Sequence, residues 1–287
     1  MVPTKTILVG RMFPLTRKEH NMEAQVDRRI KLPPARYHVD MKVVGRSHKY
    51  IVTEDSGKVS TLNSVTGVLG VIAKPQLIPW AANQASENAE RALMSRLEGA
   101  KSKKITLTEE WIKGVIAEAK KAPEKIKTDA ADLGTRAHAY FDQFIRGEAP
   151  EIIEDDLKPA VNAFNDWFGK SNLTIVGGDT KVASLVHGYG GALDFLAIDE
   201  EGCWVLGDFK TSRSGKYAEY SLQVSAYANA FKETYGISCG RAIILRFSKV
   251  EPAEFEASEL CDMKNSFAAF LDAKNLKEKL AQEHFCP

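Results

Sequence analysis

Polar and apolar residues alternate through "KYIVTEDSGKVSTLNSVTGVLGVI" on both sides of Asp55-Ser56-Gly57, a pattern that predicts a β-hairpin, with Ser64 and Thr66 opening the next element. From Pro79 the spacing becomes helical in "PWAANQASENAERALMSRL". Proline suits a first helical turn because the N–H it lacks would have no partner there. Thr106 and Glu109 resemble a capping box for a second helix, "EEWIKGVIAEAKK". Pro123 predicts the start of a third, "PEKIKTDAADLGTRAHAYFDQFIRG", ending at Gly147, a residue suited to a left-handed C-cap. Glu151, Glu154, Asp155 and Asp156 then read as the acidic start of a helix through "LKPAVNAFNDWFGK".

The second half changes character. "NLTIVGGDTKVASLV", "YGGALDFLAI" and "CWVLGDFK" read as strands, the last two antiparallel across the tight turn Asp199-Glu200-Glu201-Gly202. A helix "YAEYSLQVSAYANAFKETYG", a buried strand "RAIILRF" and a closing helix from about Glu259 follow. This order predicts an α/β fold of the α+β kind, a mixed central sheet flanked by helices, with an N-terminal hairpin and a helical lobe. Neither an internal repeat nor a low-complexity tract is present.

Composition narrows the class. With 44% hydrophobic and 27% charged residues over 287 positions, disordered and fibrous chains are excluded. No apolar run approaches the roughly 20 residues that cross a bilayer, so no membrane partner is expected. Formal net charge is +1, yet residues 1–50 hold eleven Lys/Arg against four Asp/Glu, leaving the remainder net acidic. Residues 1–40 therefore read as a basic flexible arm, either solvated or touching nucleic-acid backbone. Residues 41–287 read as a single domain, with a hairpin region (41–75), a helical lobe (76–170) and a core (171–287). The first residues lack a secretory h-region. Cys203, Cys239, Cys261 and Cys286 are far apart, Cys203 within a predicted strand, which suggests neither a zinc site nor a disulfide framework but reduced thiols in the cytoplasm. A mitochondrial presequence is the alternative.

The chemistry concentrates at Asp194, Asp208 and Lys210. The short turn brings both acids from neighbouring strands to one point, where two carboxylates repel unless one is protonated or a cation lies between them. A hard divalent metal resolves this, and Lys210, two residues after Asp208, projects to the same face of its strand. An ordinary Asp–Lys surface pair is the alternative. His187 is accounted for by a turn before a strand, and Trp80, Trp111 and Trp167 read as core positions on helices. Lys101, Lys103 and Lys104 form a basic loop able to meet phosphate, or simply solvated.

Four segments, "GTRAH" (134–138), "GALD" (191–194), "DFK" (208–210) and "QVSAY" (223–227), lie in an order that resembles the RecB-like branch of the PD-(D/E)xK nuclease superfamily. The stretch "NSVTGVLGVIAKPQLIPWAAN" also resembles the amino-terminal region of virus-encoded members and of relatives of the mitochondrial genome maintenance exonuclease. The resemblance implies a restriction-endonuclease-like fold, with Mg²⁺ or Mn²⁺ held by His138, Asp194, Asp208 and the Phe209 main-chain carbonyl. It implies that Lys210 is catalytic and that Gln223 and Tyr227 support it. Asp179 stands where the family usually has a glutamate that meets the metal through water; an exposed turn residue beside Gly177 and Gly178 is the alternative. Arg136 and Ser212, beside the motifs, are further candidates for the DNA backbone. The cysteines do not match the iron–sulfur members, so no cluster is expected. The expected function is a metal-dependent DNA exonuclease of replication, recombination or genome processing, phage-encoded, acting on single strands or duplex ends, with a recombination or replication protein as a further partner. The rivals are an endonuclease on the same fold and an inactive nuclease-derived DNA-binding module.

Overall fold

The computed structural model describes residues 6–10, 26–27, 29–45, 47–100, 105–148, 153–212 and 217–282; Lys101, Lys103, Lys104, Glu151 and Cys286 fall outside them. The chain divides into two compact units, Met1–Ile72 with Gly134–Pro287, and Ala73–Leu133. The second unit is thus shorter than the helical lobe expected at 76–170.

The first unit contains β1 (Thr6–Gly10), β2 (Tyr37–Val44), β3 (Ser47–Glu54), β4 (Val59–Ser64), α1 (Val65–Leu69), the end of α3 (Glu109–Arg146) and α4 (Lys158–Lys170). It continues with β5 (Thr174–Ser184), β6 (Tyr189–Ile198), β7 (Trp204–Lys210), α5 (Ala218–Tyr235), β8 (Arg241–Phe247), β9 (Phe255–Glu259) and α6 (Met263–Gln282). The second unit contains α2 (Leu77–Gly99) and the first part of α3. The strands form one mixed sheet in the order β1-β9-β8-β7-β6-β4-β3-β2, with β5 also on β6. Pairs β4–β6 and β7–β8 are parallel and the others antiparallel. This is the helix-flanked mixed α/β sheet expected of a restriction-endonuclease-like fold. Among the described residues no helix is long and apolar enough to cross a membrane.

Two buried layers sandwich the sheet. Phe141 from α3 and Phe164, Trp167 and Phe168 from α4 meet Phe195, Phe209 and Phe247 from the strands, with Phe141 and Phe164 stacked at 4.4 Å and Phe195 and Phe209 at 5.2 Å. Leu193, Leu196 and Leu206 pack instead with Val224, Tyr227 and Phe231 of α5 and Phe270 of α6. Burying rings of this size is the main stabilising contribution of such a core.

Several elements depart from the sequence expectation. Pro123 does not start a helix but lies inside α3, a single helix of 38 residues. An interior proline costs a helix about 3 kcal/mol, and strong helix formers on both sides carry the helix through it. The cap of α3 is Thr108, whose Oγ1 accepts from the Trp111 N–H at 3.2 Å, and not Thr106. Strand β2 begins at Tyr37, within the stretch assigned to the arm, and Thr6–Gly10 pairs with β9. Glu259 ends a strand, and the last helix starts at Met263. Cys203 lies just before β7 rather than within a strand. Trp167 is core, whereas Trp80 and Trp111 are half-buried, and the Arg96 guanidinium lies 4.7 Å above the Trp111 ring. Gly147 does close its helix in the left-handed region, at φ 78°.

Candidate active site

The site grows out of a fork in the sheet. One edge of β6 is paired with β5 along its whole length. On the other edge β7 pairs only with Phe195–Ile198 and β4 only with Tyr189–Gly190, so among the described residues Gly191–Asp194 has no strand neighbour there. The last rung between β6 and β7 is Phe195↔Gly207, and one step beyond it Asp194 comes opposite Asp208. On the β5 side Gly178 faces Phe195 and Thr180 faces Leu193, which leaves Asp179 opposite Asp194. Register thus lines three aspartates in one row across β5, β6 and β7. Asp179 has φ 40°, a left-handed conformation that only small polar residues and glycine adopt readily.

Glycines admit the close contacts around this row. A Cβ at Gly207 would lie 1.8 Å from the Phe195 ring, which crosses β7 there to reach Phe209. A Cβ at Gly191 would meet the Tyr227 ring at 2.2 Å, and one at Gly134 would meet Thr211 Oγ1 at 3.0 Å. The glycines of "GALD" and "GTRAH" therefore let α5 and α3 approach the strands.

Asp194 Oδ2 accepts the Phe209 N–H at 2.6 Å, and its Oδ1 lies 3.4 Å from His138 Nδ1. Because the N–H and C=O of an extended residue point to the same side, the Phe209 carbonyl shares the edge that faces Asp194. Lys210 Nζ is 2.5 Å from Asp208 Oδ2 and donates to Gln223 Oε1 at 3.1 Å. Gln223 Nε2 donates to Asp208 Oδ1 and to the Tyr227 hydroxyl, both at 2.9 Å. The Lys210 ammonium also lies 4.9 Å above the Tyr220 ring. The contacts thus form two groups, His138–Asp194–Phe209 and Asp208–Lys210–Gln223–Tyr227, which the Asp208–Phe209 peptide bond joins.

The electrostatics follow from burial and crowding. Burial, with Asp194 adding to it, pushes Asp208 up to about 6, and Lys210 and His138 only partly offset this. Asp194 is lowered, because His138, Lys210 and the Phe209 N–H outweigh its burial. Burial opposes charge on His138 and on Lys210, yet the two aspartates overcome it and raise both. Lys210 and His138 are the groups that offset the two acids among the described residues.

His138, Asp142, Asp179, Asp194 and Phe209 line a cavity of about 200 Å³. Asp142 escaped sequence reasoning, although its spacing of four from His138 puts both on one face of a helix. Its Oδ2 pairs with Arg146, while its Oδ1 is buried without a hydrogen-bond partner. Among the described residues no three His, Cys, Asp or Glu side chains already form a metal cage. The donor set nevertheless suits a hard divalent ion, with an imidazole nitrogen, carboxylates and one orphaned buried oxygen around one cavity. Arg136 lies on the surface, paired with Glu154 and with Asp156 at 2.6 Å, and the Ser212 carbonyl faces Arg246 Nη1 at 3.5 Å.

No family model and no curated protein matches the sequence. Among solved structures the chain is similar to a proposed exonuclease from Eubacterium rectale at 11% identity, over 52% of this chain and 66% of that one, with a TM-score of 0.38. It thus spans just under two thirds of that protein. It is also similar to an alkaline exonuclease from Laribacter hongkongensis at 15% identity, over 53% of this chain and 91% of that one, with a TM-score of 0.27. The helix-flanked mixed sheet agrees with the restriction-endonuclease-like fold that the resemblance implies.

Proposed function

We propose that the chain is a metal-dependent deoxyribonuclease that degrades DNA from an end. The observation that supports this most is the row Asp179, Asp194 and Asp208 at the fork of the sheet, with the Lys210 ammonium 2.5 Å from Asp208. A divalent cation, Mg²⁺ or Mn²⁺, held by His138, Asp194, Asp208 and the Phe209 carbonyl, would acidify a water and neutralise charge on the phosphate.

The side chains divide the remaining work. Lys210, kept charged by the aspartates and held by Gln223, places a positive charge where the phosphate gains negative charge in the transition state. Tyr227 fixes Gln223, so the lysine keeps its aim through a relay that touches no substrate. Asp179, an exposed acid on the rim of the same cavity, is suited to holding a water.

The test is a time course on end-labelled single- and double-stranded oligonucleotides, and on a closed circular single strand, with Mg²⁺, Mn²⁺ or EDTA. Stepwise shortening of linear DNA in metal only, with the circle intact, is the expected result. Cutting of the circle would make the enzyme an endonuclease. Unaltered activity in Lys210→Met, or no hydrolysis by the wild type under any of these conditions, overturns the proposal.

A further inference from the structure

The β2–β3 hairpin is anchored beside the candidate site, and its tip points toward the end of the sheet that holds the acids. Tyr50, on β3, packs its Cβ and ring against Gly190, where a Cβ would be 2.5 Å away. Its hydroxyl is pushed up to about 12 by burial and by the nearby charges of Asp179 and Asp194. Lys49 is level with Asn63, and Asn63 with Tyr189, so from Lys49 toward Ser47 the hairpin runs in the direction in which β6 runs toward Asp194. The tip at Val44 and Ser47 therefore lies about 10 Å beyond Tyr50, at the end of the sheet that holds the acids.

One face of the hairpin carries Lys42 and Lys49, with Val44 beyond them and Asp40, already paired with His38 at 3.0 Å, behind them; the other carries Met41 and Val43. Residues 41–53 contain Lys42, Arg46 and Lys49 and no acid. Lys42 and Lys49 are directly opposed across the strands, an arrangement of like charges that weakens a hairpin unless an anion joins it. Lys49 donates to Asn63, and among the described residues no carboxylate pairs with either lysine. On the opposite face the row Tyr37, Val39, Met41 and Val43 passes from buried to exposed, Val43 reaching 64%.

We propose that this hairpin is a DNA-binding finger, with Lys42 and Lys49 on the phosphate backbone and Met41 and Val43 against a sugar or base of the strand that feeds the site. The inference rests on the nuclease reading above. Charge complementarity selects the ligand, because a polyanion relieves the repulsion that the fold itself leaves in place.

The experiment compares the full chain with Lys42→Thr/Lys49→Thr, threonine being favourable in strands. Anisotropy of labelled single-stranded and duplex DNA is followed against salt in EDTA, and turnover of a thymidine 5′-nitrophenyl phosphate ester is followed in Mn²⁺. Loss of two phosphate contacts lowers the slope of log affinity against log salt by about 1.4 on single strands and about 1.8 on duplex, while ester turnover is unchanged. An unchanged slope in a double variant that melts like the wild type overturns the proposal and leaves the lysines as guards of an edge strand. If the double variant melts early, Lys42→Thr alone must lower the slope by about half as much. A wild type that binds DNA with the lysine-dependent slope but hydrolyses no substrate fails the nuclease reading and keeps the finger.

Discussion

The two ends of the β6–β7 hairpin place a buried aspartate in opposite electrostatic situations. At the turn, Asp199 has a side chain only 5% exposed, accepts the Cys203 N–H at 2.8 Å and meets Arg241 Nη1 at 3.1 Å. Arg241 is itself held by both oxygens of Glu259 at 2.9 Å. Burial would raise Asp199, but these donors win and its carboxyl is lowered. At the open end the Asp208 side chain is just as little exposed, at 4%, yet it lies deeper in the protein and rises to about 6, because burial, with Asp194 adding to it, is only partly offset by Lys210 and His138. The direction of each shift therefore depends on how completely the partners offset burial, which Arg241 and the Cys203 N–H do for Asp199 and Lys210 does not do for Asp208. Cavity size points the other way, since a larger cavity, about 330 Å³, lies at the Asp199 end, where Asp199, Arg241 and Glu259 are already paired.

The largest expected effect separates the two ends directly. Asp208→Asn should lower hydrolysis of DNA by about 10³-fold or more, the scale of losing a group that acts on the transition state, with a native circular dichroism spectrum. Asp199→Asn should leave the rate within about twofold and lower stability by about 1.5–3 kcal/mol, the scale of hydrogen bonds to a charged group, as urea unfolding would report. Equal loss of activity in both variants would erase the contrast. Next in size is Gly207→Ala, at the last rung before the fork. Its methyl would meet the Phe195 ring, so a loss of about 1–3 kcal/mol is expected from overpacking. Restored stability in Gly207→Ala/Phe195→Leu would identify the ring as the cause.

The sequence showed the turn end of this hairpin well, since Asp199 to Gly202 is a local signal and Gly202 N–H does bond the Asp199 carbonyl at 3.0 Å. Local spacing also placed Lys210 beside Asp208 and Gln223 beside Tyr227. The fork was not legible, because it also depends on β4 joining the edge of β6 that β7 occupies, a pairing between residues far apart in the chain. Asp142 was missed for a related reason: its meaning comes from the space opposite Gly178, not from its own surroundings on α3. Pro123 shows the reverse case, a strong local signal overruled by the helix on both sides.

The smallest effect is a pH dependence that only the open end should show. The folded chain holds the Asp208 proton up to about pH 6, whereas the unfolded chain releases it near the ordinary value of 3.8. Between these values the native state binds more protons, so stability falls as pH rises. Asp194 is shifted the other way, and its contribution is lost only as pH falls below the ordinary value. His138 is raised, and its contribution is lost only as pH rises above 6.5. The window between about pH 4 and 6 therefore belongs to Asp208. In EDTA, the urea midpoint of the wild type should fall across it relative to Asp208→Asn, and Mn²⁺ should remove the fall by favouring the ionised carboxylate. Parallel curves for the two proteins would mean that Lys210 already balances Asp208 as completely as Arg241 balances Asp199, and the open end would lose its claim to be unfinished.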